Sequence, residues 1–187
     1  MRRRLVWAVV LAAVIVACSE PPAKEHDQAR RAVEAARTAG AATYAPTELR
    51  KAETALAGYD TAVSQRDYRL ALSLAIDARE SAYAAGRRAA DEKAGARANA
   101  EQLLAVVQKG VTTMEQRLRG KGGPRPARQV ASRLGATLKT STAALQKARS
   151  AMAAEDYHSV VTVLTPVRKA LDGDLAAATP GRGRVGR

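Results

Sequence analysis

Cys18, His26 and His158 are the only soft or near-neutral titrating side chains in this chain of 187 residues. A protein zinc site needs three or four ligands at short, defined spacings, such as HExxH or paired cysteines, and no such pattern is present. Asp156 and His158 lie two residues apart. There a weak acid/base pair competes with a simpler reading, an aspartate capping a helix beside an exposed histidine. Asp172-Gly173-Asp174 is too short for a calcium loop, which needs more oxygen ligands at longer spacing. Gly120-Lys121-Gly122-Gly123 is not a phosphate-binding P-loop, because Lys121 is not followed by Ser or Thr and no strand precedes it. No serine or threonine sits in a nucleophile elbow. The sequence offers no catalytic, metal or cofactor-binding set, and a non-enzymatic role is expected.

Cys18 has a different context. It closes an apolar run, residues 5–17, that follows Met1-Arg2-Arg3-Arg4. A basic start followed by an apolar stretch of this length is the pattern of an export signal. As a helix the run would reach only about 20 Å, and a bilayer core is about 30 Å thick, so a cleaved signal is favoured over a permanent span. Ile15-Val16-Ala17-Cys18 resembles the lipobox of bacterial lipoproteins. The resemblance implies that the signal, residues 1–17, is removed and that Cys18 carries palmitate-type acyl chains, its thiolate being the nucleophile that takes the lipid. The implied location is the cell envelope, anchored to a membrane through the N-terminal lipid and facing the periplasm. Ser19, in place of an aspartate, resembles an outer-membrane sorting signal. Two or three acyl chains make a stable anchor where one is marginal. Residues 18–25 then read as a short, proline-stiffened tether. No thiol remains for a disulfide, so packing alone must hold the body together.

Charge is the remaining chemical signal. The formal net charge is +13 and the distribution is uneven: residues 19–100 carry 13 basic and 12 acidic side chains, residues 101–187 carry 15 and 6. Arg117, Arg119, Lys121, Arg125, Arg128 and Arg133 form a run without an intervening acid, centred on the Gly- and Pro-rich stretch 120–126. Such asymmetry favours an anionic partner. Nucleic acid is the usual partner of a basic helical protein, but an exported lipoprotein does not ordinarily meet it. Lipid headgroups, peptidoglycan carboxylates or an acidic protein fit the compartment. A generic basic surface is the plain alternative.

The elements that must position these residues are helical. Phe is absent, alanine is abundant, and no alternating Val/Ile/Thr run marks a strand. Residues 24–39 predict a first helix with a stripe at Ala29, Ala32, Ala36 and Ala39, ended by Gly40. Pro46 and Glu48 suit the first turn of a second helix, striped by Leu49, Ala52, Leu56, Tyr59 and Val63 and reaching about Ser64. Asp67 then caps a third helix. Its seam, Ala71, Ala75, Ala78, Ala82, Ala85 and Ala89, repeats every 3 or 4 residues as in a coiled coil. Arg79 falls off that seam and is expected to face solvent. The stripe continues through Ala100, Leu103, Val107, Val111, Met114 and Leu118, with Gly86, Gly95 and Gly110 as places for a bend. A fourth helix follows the 120–126 turn, striped by Val130, Leu134, Leu138, Ser141, Leu145, Ala148 and Met152. A fifth carries Tyr157, Val160, Leu164, Val167 and Leu171, with a kink expected at Pro166.

Asp67-Tyr68 and Asp156-Tyr157 lie 89 residues apart, each between similar apolar patterns. The expected fold is therefore all-α: two tandem long antiparallel hairpins, about five helices in all, each turning at an Asp-Tyr corner whose tyrosine packs on the preceding helix. The expected organisation is a helical hairpin domain at 26–119, a second hairpin at 120–178 and a disordered basic tail at 179–187. Gly40-Ala41, Tyr44-Ala45-Pro46, Glu48-Leu49, Asp67-Tyr68 and the alanines from Ala71 to Ala82 resemble a domain family of unknown function found in bacterial envelope lipoproteins. That resemblance covers about residues 24–95 and carries over no site residues. Some members precede a peptidoglycan-binding domain, whose place the second hairpin takes here. The Asp-Tyr corner is also similar to part of a tetratricopeptide repeat, which would imply a peptide- or protein-binding groove, but the echo at 89 residues departs from that repeat's period of about 34. The function expected is a structural or adaptor rod in the envelope.

Overall fold

The computed structural model describes residues 20–121 and 126–178; Cys18, the residues 1–17 read above as a signal, Arg125 and the segment 179–187 lie outside the described residues. Among the described residues the elements are six α-helices: α1 (Ala23–Thr38), α2 (Ala41–Tyr44), α3 (Pro46–Ser64), α4 (Tyr68–Leu118), α5 (Arg128–Ala153) and α6 (Tyr157–Ala177). The all-α expectation holds. The chain divides into two compact units, Met1–Lys93 and Ala94–Arg187. That division falls within α4, not at the 120–126 turn, because residues from Ala100 onward bury their side chains in the second unit.

In the first unit α1, α2, α3 and the start of α4 share a core of small side chains. Ala32, Val33, Ala36, Ala41, Ala45, Leu49 and Ala52 pack with Ala82, Ala85 and Ala89, and Tyr59 and Ala62 pack with Ala71 and Ala75. All six seam alanines of α4 are fully buried. Without side chains longer than a methyl at the seam, the helices approach closely. Two details differ from expectation. Ala39 is exposed, because the helix ends at Thr38 and Gly40, at φ 88°, turns the chain away, and Val33, beside the expected stripe, is buried in the shared core. Arg79 is partly buried, its guanidinium donating to Gln28 Oε1 at 2.7 Å.

In the second unit the core is built from larger residues. Leu103, Val107, Val111 and Met114 come from α4, Leu134 and Leu145 from α5, and Tyr157, Val160, Leu164 and Leu171 from α6. Gly110 allows α6 to come near: a Cβ there would lie 3.2 Å from Leu171 Cδ1. The helix α6 runs through Pro166 without interruption.

The two Asp-Tyr corners have the same backbone. At the first, Arg66 adopts φ 60°, the Arg66 N–H bonds Val63 O and the Asp67 N–H bonds Ala62 O. At the second, Glu155 adopts φ 56°, with Glu155 to Met152 and Asp156 to Ala151. This pair of bonds around one left-handed residue closes the last turn of a helix. The aspartate that completes it also caps the next helix: Asp67 Oδ1 accepts from the Leu70 N–H at 2.9 Å, and Asp156 Oδ1 from the Ser159 N–H at 3.1 Å. The tyrosines differ. Tyr157 is buried and Tyr68 only half-buried.

Candidate functional site

The basic run falls at the junction of α4 and α5. Arg117 lies in the last turn of α4, where a cation complements the helix dipole. Gly120, at φ 73°, closes that helix with the bond pair seen at the two corners, Gly120 N–H to Arg117 O and Lys121 N–H to Gln116 O. Arg119 and Lys121 are exposed on this turn. Arg128 is the exposed first residue of α5. The first turn of α5 holds no acidic residue, and Ala127 supplies no side-chain cap. A cation there opposes the helix dipole. The helices α1 and α3 instead begin with Glu25 and Glu48, and α6 begins with the Asp156 cap. The placement of Arg128 does nothing for its own helix.

Arg133 has an internal partner. Its Nε lies 2.7 Å from Asp174 Oδ1; the carboxylate is 6% exposed and the guanidinium side chain 71%. Thr137 donates its hydroxyl to Asp174 Oδ2 at 2.6 Å. The charge-assisted pair thus satisfies a buried carboxylate between α5 and α6, and Arg133 is a structural residue as well as a surface charge. Asp174 was legible in one respect: it occupies the next position of the Tyr157–Leu171 stripe, where a core residue belongs.

The histidines fall in separate units. His26 stacks on Tyr59, with ring centroids 4.2 Å apart and planes 6° from parallel, and its Nε2 lies 4.0 Å from Asp60 Oδ1. Burial, followed by the nearby carboxylates of Asp60, Asp27 and Glu25, holds the Tyr59 phenol above its ordinary pKa. This stack borders an open groove between α1 and α3, lined also by Arg30, Arg37 and Glu53. Within it Arg37 bonds Glu53 at 2.6 Å and lies 3.6 Å from Glu34. It contains no nucleophile set against a base. Asp156, paired in sequence with His158, acts as a cap; the Ser159 hydrogen bonds hold its carboxyl below the usual carboxylate range. Among the described residues no group of three or more His, Cys, Asp or Glu side chains is placed to hold a metal, and no helix is long and apolar enough to cross a membrane.

The two units differ in charge. Residues 20–93 carry twelve basic and twelve acidic side chains, and residues 94–187 carry sixteen and six. The excess belongs to the unit that holds the basic turn. No family model, curated protein or solved structure matches this chain.

Proposed function

We propose that this protein is a non-enzymatic adaptor of the bacterial cell envelope, anchored in the outer membrane through acyl chains on Cys18 and facing the periplasm, whose second unit meets an anionic envelope component through its basic turn. The observation that carries the partner half is Arg128. A helix that begins on an arginine, with no carboxylate in its first turn, carries a positive charge from which its own stability gains nothing, and Arg117, Arg119 and Lys121 at the end of the preceding helix add to that charge. The anchor half rests on the residues before and including Cys18.

Each half has its own test. Metabolic labelling with a fatty acid should mark the parent protein, and Cys18→Ala should remove the label and leave uncut precursor. Neutralising Arg119, Lys121 and Arg125 together should leave the label in place but weaken retention of envelope material in a crosslinking pull-down, as added salt should do for the parent. Label persisting on Cys18→Ala would end the anchor reading. Salt-insensitive retention that survives neutralisation would end the partner reading.

A further inference from the structure

The helix α6 departs from helix preference at two positions that line one groove. Pro166 removes the N–H that would bond the Thr162 carbonyl. Gly173 has no positive φ, and a Cβ there would meet nothing within 4 Å. Neither packing nor backbone conformation asks for glycine there, and glycine is among the least helix-favouring residues. With Ala170, these two residues form the apolar lining of an open groove of about 530 Å³ between α5 and α6, within the size range of small-ligand sites. Departures from local preference that the fold does not explain are expected at functional sites.

The polar lining sorts into donors and an acceptor. Asp174 is 6% exposed, and both its oxygens are engaged, Oδ1 by Arg133 and Oδ2 by the Thr137 hydroxyl. This buried carboxylate fixes the Arg133 guanidinium by its Nε, while the side chain stays 71% exposed and meets no other carboxylate among the described residues. Lys169 is exposed and meets none there either: the position four residues on is Gly173, and Asp172 lies 3.6 Å from Arg168. The Thr137 hydroxyl gives its proton to Asp174, so toward a ligand it is an acceptor only. The charges of Arg133, Lys169 and Asp174 sum to one positive charge. The groove therefore offers cationic donors for a single monoanion, an acceptor for one N–H, and small apolar residues alongside.

We propose that this groove binds the C-terminal end of a peptide whose last residue is small. The terminal carboxylate meets Arg133 and Lys169, a charge-assisted contact for which the guanidinium fork is suited. The last amide N–H donates to Thr137, and a methyl-sized side chain lies against Ala170 and Gly173. A phosphodiester has the same single charge but no N–H for Thr137, and an acyl chain finds only small residues to pack on. The site shares Arg133 alone with the basic run, and the inference does not depend on the basic turn having a partner.

The test uses the full chain in phosphatidylcholine nanodiscs and measures binding of N-acetyl-alanyl-alanine by saturation-transfer NMR and calorimetry. The dipeptide should bind saturably, and its C-terminal amide about tenfold more weakly. Lys169→Gln should weaken binding of the acid about tenfold and change binding of the amide little, because the amide brings no charge for Lys169 to meet. Gly173→Leu should fill the groove and abolish binding. Its helix content and thermal stability should not fall below the parent's, since the new side chain enters open space and leucine favours a helix. Arg133 is left intact because Asp174 needs it. Lys147→Gln, at an exposed position of α5 outside the groove, should bind like the parent. No saturable binding, equal binding of acid and amide, or parent-like binding by Lys169→Gln or Gly173→Leu would overturn the inference. Dimethyl phosphate binding as tightly as the dipeptide would overturn the assignment to a peptide. None of these variants alters Arg117, Arg119 or Lys121, so a failure here is distinct from a failure of the basic turn.

Discussion

Between Ala71 and Ala89 the helix α4 buries six alanines and nothing larger; between Ala100 and Met114 the same helix buries Ala100, Leu103, Val107, Val111 and Met114. Both halves bury a residue at every third or fourth position, in steps of 4, 3, 4, 3, 4 in the first and 3, 4, 4, 3 in the second, and side-chain volume changes between them. In the first unit the partner helices come near enough for methyl groups to fill the space. In the second, large side chains interdigitate. The two halves should therefore fail in opposite ways: the alanine seam has no room for an added atom, and the larger core leaves a hole wherever one is removed. The charge follows the same division, with balanced signs in the first unit and a strong positive excess in the second.

The largest effects should come from insults matched to each core. Leu164, fully buried in the second unit, should cost about 2–5 kcal/mol on change to alanine, as lost transfer energy and a residual cavity add. Ala82→Phe in the first unit should cost about 1–3 kcal/mol through overpacking. Arg87→Phe, at an exposed neighbouring position, should be nearly silent, and it is a better control than Arg79, which bonds Gln28. Thermal and denaturant unfolding of the three variants measures this. An Arg87→Phe loss as large as that of Ala82→Phe would dissolve the contrast between the two halves.

A smaller difference separates the corner tyrosines. Tyr157, 4% exposed, should lose about 3 kcal/mol on change to alanine. The half-buried Tyr68 should lose clearly less. Equal losses would mean that the corners are alike in packing as well as in backbone.

The smallest effects should be equal at both corners, because their hydrogen bonds coincide. Asp67→Ala and Asp156→Ala should each cost about 1 kcal/mol of cap. Arg66→Gly and Glu155→Gly should each gain about 0.5–1 kcal/mol, the relief of a left-handed residue with a Cβ being offset in part by unfolded-state entropy. The Asp156 cap also carries a sign in pH. Its carboxyl is held below the usual range, so its contribution is complete above the ordinary carboxylate pKa and is lost as pH falls through the lowered one. The Asp156→Ala variant should accordingly show a shallower loss of stability in acid than the parent.

Most of the helical stripes were legible because burial follows a single period. Every alanine of the Ala71–Ala89 seam is buried, and Ser141 is buried where the α5 stripe placed it. What was not legible has local causes. The helix α2 is a single turn of four residues, too short to show a period. The end of α1 was placed one residue late because Ala39 matches the stripe although Gly40 has already turned the backbone. The unit boundary inside α4 comes with no proline or loop, so the helix gives no break at which to place it, although side-chain volume and charge change across it. The basic run was visible, but the Arg133 partner, Asp174, lies 41 positions away across a helix pair, and only the fold brings the two together.

The central claim is that the partner meets the basic end of the second unit and not the balanced surface of the first. It is tested most directly by placing a photo-crosslinking residue at position 119 or, separately, at position 87, both exposed, in the full acylated chain within the native envelope. Position 119 should yield adducts with an envelope component that diminish when Arg117 and Lys121 are neutralised or salt is raised, and position 87 should yield none. Adducts of the same kind and yield from position 87, or none from position 119, would contradict the account.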